Sequence, residues 1–69
     1  MRLFQVQLET PKDTFCFEVG TEEDECNAID IAEEFLELLG HSGPFHVGGY
    51  DLIGITNYLG VVNFRRSNR

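Results

Sequence analysis

Leu3-Phe4-Gln5-Val6-Gln7-Leu8-Glu9-Thr10-Pro11-Lys12-Asp13-Thr14-Phe15-Cys16-Phe17-Glu18-Val19 is the stretch that decides the fold. In residues 3–9, Phe4, Val6 and Leu8 face one way, and Gln5, Gln7 and Glu9 face the other. In residues 14–19, Phe15, Phe17 and Val19 alternate in the same manner with Thr14, Cys16 and Glu18. A period of two is that of a half-buried strand. Between the two runs lies Thr10-Pro11-Lys12-Asp13. Proline sets one backbone angle and aspartate favours a turn, so this segment reads as a hairpin loop joining two antiparallel strands.

Working outward, Gly20 ends the second strand and Thr21 opens a helix signal. Thr21 with Asp24 three residues later approximates a capping box, and Glu22, Glu23, Asp24 and Glu25 suit the positive end of a helix. The pattern predicts a helix from about residue 22 to Leu39. Its apolar side is Ala28, Ile29, Ile31, Ala32, Phe35, Leu36, Leu38 and Leu39, and Gly40 is a left-handed cap. After the loop His41-Ser42-Gly43-Pro44, the β-branched and aromatic content of the C-terminal part predicts strands near 46–56 and 60–66, with a turn at 56–59. Gly48, Gly49 and Gly54 mark bulges or bends in the first of these. Residues 65–69 read as a frayed end. The order is ββαββ, an α+β fold with one helix packed on an antiparallel sheet. Strand order is not readable from the chain.

A chain of 69 residues makes one domain, 1–69, with a thin core. No apolar run approaches the roughly 18 residues of a membrane span, and the alternating start lacks the apolar stretch of an export signal. Two cysteines, Cys16 and Cys26, then read as free thiols of a cytoplasmic protein. Twelve acids against five bases give a net charge of −7. That balance argues against direct nucleic-acid binding and against an anionic membrane surface.

The acids are concentrated. Eleven lie between Glu9 and Glu37, opposed by Lys12 alone; the remainder sets Asp51 against Arg2, Arg65, Arg66 and Arg69. On a helix, Asp30, Glu33, Glu34 and Glu37 stand at i, i+3, i+4 and i+7 and share one face, with Glu23 on the same stripe earlier. Most charged helix faces are merely solvated. Solvated faces usually mix signs, however, because Glu–Lys pairs at i,i+4 stabilise by roughly 0.2–0.5 kcal/mol. Here Asp30–Glu34 and Glu33–Glu37 pair like with like, and Glu34 and Glu37 lie where the helix dipole disfavours anions. Local rules are broken most often at functional sites, so the stripe reads as a docking face for cations. Carboxylates spaced by about one turn, roughly 5.4 Å, imitate a row of phosphates and fit a Lys/Arg groove built for nucleic acid.

Other chemistries are poorly served. Cys16, Cys26, His41 and His46 lack zinc-site spacing and read as a strand residue, a semi-buried helix thiol and two exposed loop histidines. No local signature supports a Cys–His nucleophile, and a solvated row of carboxylates does not separate two pKa values as acid–base catalysis requires. The glycines do not form a phosphate-binding fingerprint. Tyr50 and Tyr58 read at least as well as a half-buried sheet residue or a turn residue as they do as interface anchors. No enzyme, cofactor or metal site is expected.

In size, acidity and ββαββ plan, with Thr21-Glu22-Glu23-Asp24-Glu25 leading into Asp30-Ile31-Ala32-Glu33-Glu34-Phe35-Leu36-Glu37, the chain resembles the small phage-encoded anti-CRISPR proteins, in particular the type I inhibitors that mimic DNA in charge. The resemblance spans the whole plan without a diagnostic motif. It implies a non-enzymatic inhibitor in the host bacterial cytoplasm. Its carboxylates Glu22, Glu23, Asp24, Glu25, Asp30, Glu33, Glu34 and Glu37 would contact the Lys/Arg residues with which a CRISPR–Cas surveillance complex holds target DNA. The C-terminal arginines depart from a pure DNA mimic. A second resemblance, to antitoxins that clamp a basic ribonuclease toxin, competes with the first, although this chain has no room for a helix-turn-helix. A small virion subunit is a third possibility and predicts self-assembly. A monomer is expected over a dimer, although an exposed outer strand is able to pair with a second copy.

Overall fold

In a computed structural model that describes residues 1–68, the elements run β1 (Arg2–Glu9), β2 (Asp13–Thr21), α1 (Glu25–Leu38), β3 (His46–Ile55) and β4 (Gly60–Asn68). They form the expected ββαββ α+β fold, with the helix packed against an antiparallel sheet. Arg69 lies outside the described residues.

The sheet order is β3-β1-β2-β4. The hairpin provides the two central strands, in a register that places Phe4 opposite Val19, Val6 opposite Phe17 and Leu8 opposite Phe15. Thr10 makes the turn: its Oγ1 accepts from the backbone N–H groups of Lys12 and Asp13, and its own N–H donates to the Asp13 carbonyl. The six apolar side chains of the hairpin lie under Ala28, Ala32 and Leu36, and these nine residues are the buried core. Two alanines at the contact allow the helix to sit close to the sheet. Phe35 extends the core toward β4, with its ring 5.1 Å from Phe64 and 5.9 Å from Phe17.

The helix starts three residues later than the sequence suggests, and Thr21 is not its cap. Asp24 is, with its Oδ1 accepting from the Asn27 N–H at 3.3 Å. Thr21 is buried instead. Its Oγ1 accepts from the Glu23 N–H and donates to Asn27 Oδ1 at 2.6 Å, tying the end of β2 to the first helical turn. The signal misleads because a Thr with an acid three residues on satisfies the capping pattern whether the Thr caps the helix or anchors the approach to it. The other end agrees with expectation. Gly40 has φ +96°, and the N–H groups of Gly40 and His41 donate to the Glu37 and Leu36 carbonyls in a Schellman arrangement. Leu38 and Leu39, assigned to the apolar side, are exposed, because the helix ends as it passes the edge of the core.

Several local expectations also change. Cys26 is exposed, not semi-buried. His41 is half-buried, with its ring 5.0 Å from that of Phe15 in an edge-on contact, and His46 begins β3. Arg65 and Arg66 are not frayed. β4 runs through Asn68, and Arg66 Nε and Nη2 donate to the two Asp13 carboxylate oxygens at 3.1 Å. Asp13 is buried, and the Arg66 guanidinium lies over the Phe15 ring at 6.0 Å. A bidentate pair with one partner desolvated is more directional than an exposed one, and here it holds the last turn of sheet in register.

The β3–β4 connection does not join neighbours. It runs from one edge of the sheet to the other across the ends of β1 and β2, on the face opposite the helix. Gly20 makes that path available: a Cβ there would overlap the Tyr58 carbonyl oxygen and come within 2.7 Å of Thr56 Cγ2. Thr56 is held in turn by paired hydrogen bonds with the backbone of Met1. Gly20→Ala is expected to lower stability by about 2–3 kcal/mol, as overpacking does, which corresponds to a Tm drop of about 10 °C or more for a domain of this size. Gly49→Ala, where nothing lies within 4 Å of an added Cβ, serves as the control in the same thermal melts and should differ little from the parent.

Candidate functional site

The exposed face of α1 is carboxylate from Asp30 to Glu37. A 14-residue helix with three buried positions on its inner side leaves Asp30, Glu34 and Glu37 in solvent, and Glu33 half-buried at the boundary. The i, i+3, i+4, i+7 spacing brings these four side chains together. They line one groove of about 520 Å³ with Asn27 and Ile31, and its far wall is Gly43, Pro44 and Phe45. The Gly43–Pro44 peptide is cis.

The other four candidate residues do not join that groove. Glu22, Glu23 and Asp24 are exposed in the approach to the helix, and Glu25 occupies its first turn. Because the helix begins at Glu25, Glu23 is not on the helical stripe as the sequence suggests. Its carbonyl accepts from the Arg2 guanidinium at 3.1 Å. The acidic residues thus form two groups, one at the N-terminal approach and one along the helix and loop.

Electrostatics within the groove are unrelieved. The last helical turn carries no base. Among the described residues the salt bridge is Arg66–Asp13, which involves none of the eight candidates. The Glu33 carboxyl is held above its ordinary value of 4.5, first by desolvation and then by repulsion from Asp30 and Glu37. Glu33 is therefore where the like-charge cost concentrates.

Sequence reasoning missed the Pro44–Phe45 wall. Phe45 packs against the core from the loop, and its half-buried ring gives the groove an apolar side. The available signal was an aromatic residue directly after a proline in a loop too short to leave it in solvent. Among the described residues no three His, Cys, Asp or Glu converge as a metal site, and the four considered as zinc ligands lie apart. No helix among them is long and apolar enough to cross a membrane. No family model, curated protein or solved structure matches the chain.

A carboxyl whose folded pKa is raised adds stability below its unfolded pKa and loses that contribution as pH rises through the folded value. At neutral pH Glu33 is thus a cost, first from the partial burial of its carboxylate and then from its like-charge neighbours Asp30 and Glu37, each such pair worth roughly 0.2–0.5 kcal/mol. Glu33→Gln is expected to raise Tm at pH 7 by about 2–5 °C. In melts at a pH below the carboxyl's unfolded value of 4.5, the gain should disappear.

Proposed function

We propose that this protein is a non-enzymatic inhibitor that works in the bacterial cytoplasm as a nucleic-acid decoy. In this reading, the acidic face of α1 docks in a Lys/Arg groove with which a CRISPR–Cas surveillance complex binds target DNA, and thereby blocks that binding. The observation that carries the proposal is the grouping of Asp30, Glu33, Glu34 and Glu37 around one groove without a compensating base, at a cost visible in the raised pKa of Glu33. A face selected only for solubility gains by mixing signs, whereas one selected for a cationic partner recovers its repulsion on binding. The choice of a surveillance complex as partner rests on the resemblance to the DNA-mimicking anti-CRISPR proteins. Glu22, Glu23, Asp24 and Glu25 extend the negative field past the N-terminal end of the helix and speed encounter.

Recognition in this mode is electrostatic and therefore weakens with salt, since the Debye length falls from about 10 Å at 0.1 M to about 3 Å at 1 M. The test is a pull-down with tagged protein from a CRISPR-bearing bacterial lysate at low and high salt, followed by target-DNA binding assays with the purified complex. Capture of an effector subunit that is lost as salt rises, with inhibition of DNA binding, is the expected result. Glu33→Lys combined with Glu37→Lys should weaken binding by at least about tenfold, or about 1.4 kcal/mol, without loss of helix by circular dichroism. Binding that survives the double change would reduce the stripe to a solvated face. Capture of a small basic ribonuclease instead would favour the antitoxin alternative.

A further inference from the structure

The acidic helix leaves most of the exposed apolar surface elsewhere. Nine large hydrophobic residues are exposed among those described, and seven of them come from the segment 50–62, whose only formal charge is Asp51. Four belong to β3: Tyr50 (55% exposed), Leu52 (55%), Ile53 (43%) and Ile55 (85%). β3 is an edge strand of ten residues, so its outward backbone groups face no strand. Natural edges are guarded by charged side chains, proline, bulges or brevity. The opposite edge, β4, carries Arg65 and Arg66, whereas β3 has no lysine, arginine or proline, and Asp51 with the bulges beside Gly48 and Ile53 is all that guards its ten residues.

We infer that β3 is a dimerisation edge and that its occupant is the β3 of a second copy of this chain, paired antiparallel about a two-fold axis to give a continuous eight-stranded sheet. Three features favour a second copy. First, the pairing is self-complementary. With the axis between Leu52 and Ile53, Tyr50 stands opposite the second copy's Ile55 on the helix side, and Asp51 stands opposite its Gly54, not its Asp51. Second, charge permits it. Each helix sits over β1 and β2, so the two acidic helices lie four strand spacings apart, about 19 Å, beyond the Debye length of about 8 Å at physiological ionic strength. An approach of helix face to helix face would instead bring the two carboxylate rows together. Third, the area fits a weak, reversible dimer. At roughly 150–250 Å² for a large side chain, the four β3 residues leave on the order of 450 Å² open per partner, about 900 Å² over the two, which falls in the low, transient class of interfaces. A dimer differs from the monomer expected from the sequence, and it is independent of the decoy function because the helix face stays open.

Sedimentation velocity of the full chain from low to high micromolar concentration tests the proposal. The weight-average mass should climb from 7.9 kDa toward twice that value. Leu52→Lys should raise the dimer dissociation constant by at least about tenfold. Ile55→Lys, at a side chain too exposed to affect the core, should act in the same direction. Val62→Lys on the opposite edge should leave the constant unchanged. In hydrogen exchange, the outward-facing amides of β3 should be protected in the dimer and exposed in Leu52→Lys. A mass that stays at 7.9 kDa throughout, a dimer indifferent to both β3 variants, or one dissolved by Val62→Lys alone would overturn the assignment.

Discussion

One helix has to cover a four-stranded sheet, and it is too narrow to do so. A helix with its side chains is about 10–12 Å wide, whereas the outer strands of a four-stranded sheet are about 14 Å apart. Ala28 and Ala32 seat α1 over the middle of the sheet, where it buries the Phe and Val rows of β1 and β2. The edge strands receive only the margins of that cover. Phe64 on β4 gains Phe35 as a neighbour and Val61 packs against the core, while Tyr50 and Leu52 on β3 remain open although they lie in the same cross-strand rows as Val6 and Phe4. The distribution of apolar surface follows from this limit of width.

The same limit assigns the charge. Because only one side of the helix is needed for the core, the other is free of packing demands, and its composition reports on solvent or a partner. It is carboxylate from Asp30 to Glu37, with repulsion concentrated at the half-buried Glu33. The chain is thus divided by direction: acid on the outer helix face, apolar residues on one sheet edge, and guanidinium groups on the other.

What could be read from the sequence was whatever a period reveals. The hairpin alternation identified both central strands and their buried sides, and the i, i+3, i+4, i+7 carboxylates located the helix face that lines the groove. Four things were invisible for definite reasons. The helix start was misplaced because Thr21 matches a capping pattern while its hydroxyl serves Glu23 and Asn27. The wall of the groove comes from Pro44 and Phe45, which approach α1 only through tertiary packing. Strand order depends on the crossover past Gly20, and a glycine that admits a passing backbone looks in sequence like one that ends a strand. Likewise, Arg66 belongs to the ladder because Asp13, 53 positions earlier, fixes it there.

The crossover also divides the molecule by the sequence range of its contacts. β1, β2 and α1 are contiguous in the chain, and their mutual contacts close short loops, which form quickly. β3 and β4 instead pair with strands roughly forty to fifty residues earlier. They flank the hairpin, and the Thr56–Leu59 crossover ties one edge of the sheet to the other. The chain thus divides into a local part, whose partners are near in sequence, and a clasp of long-range strands that holds both edges.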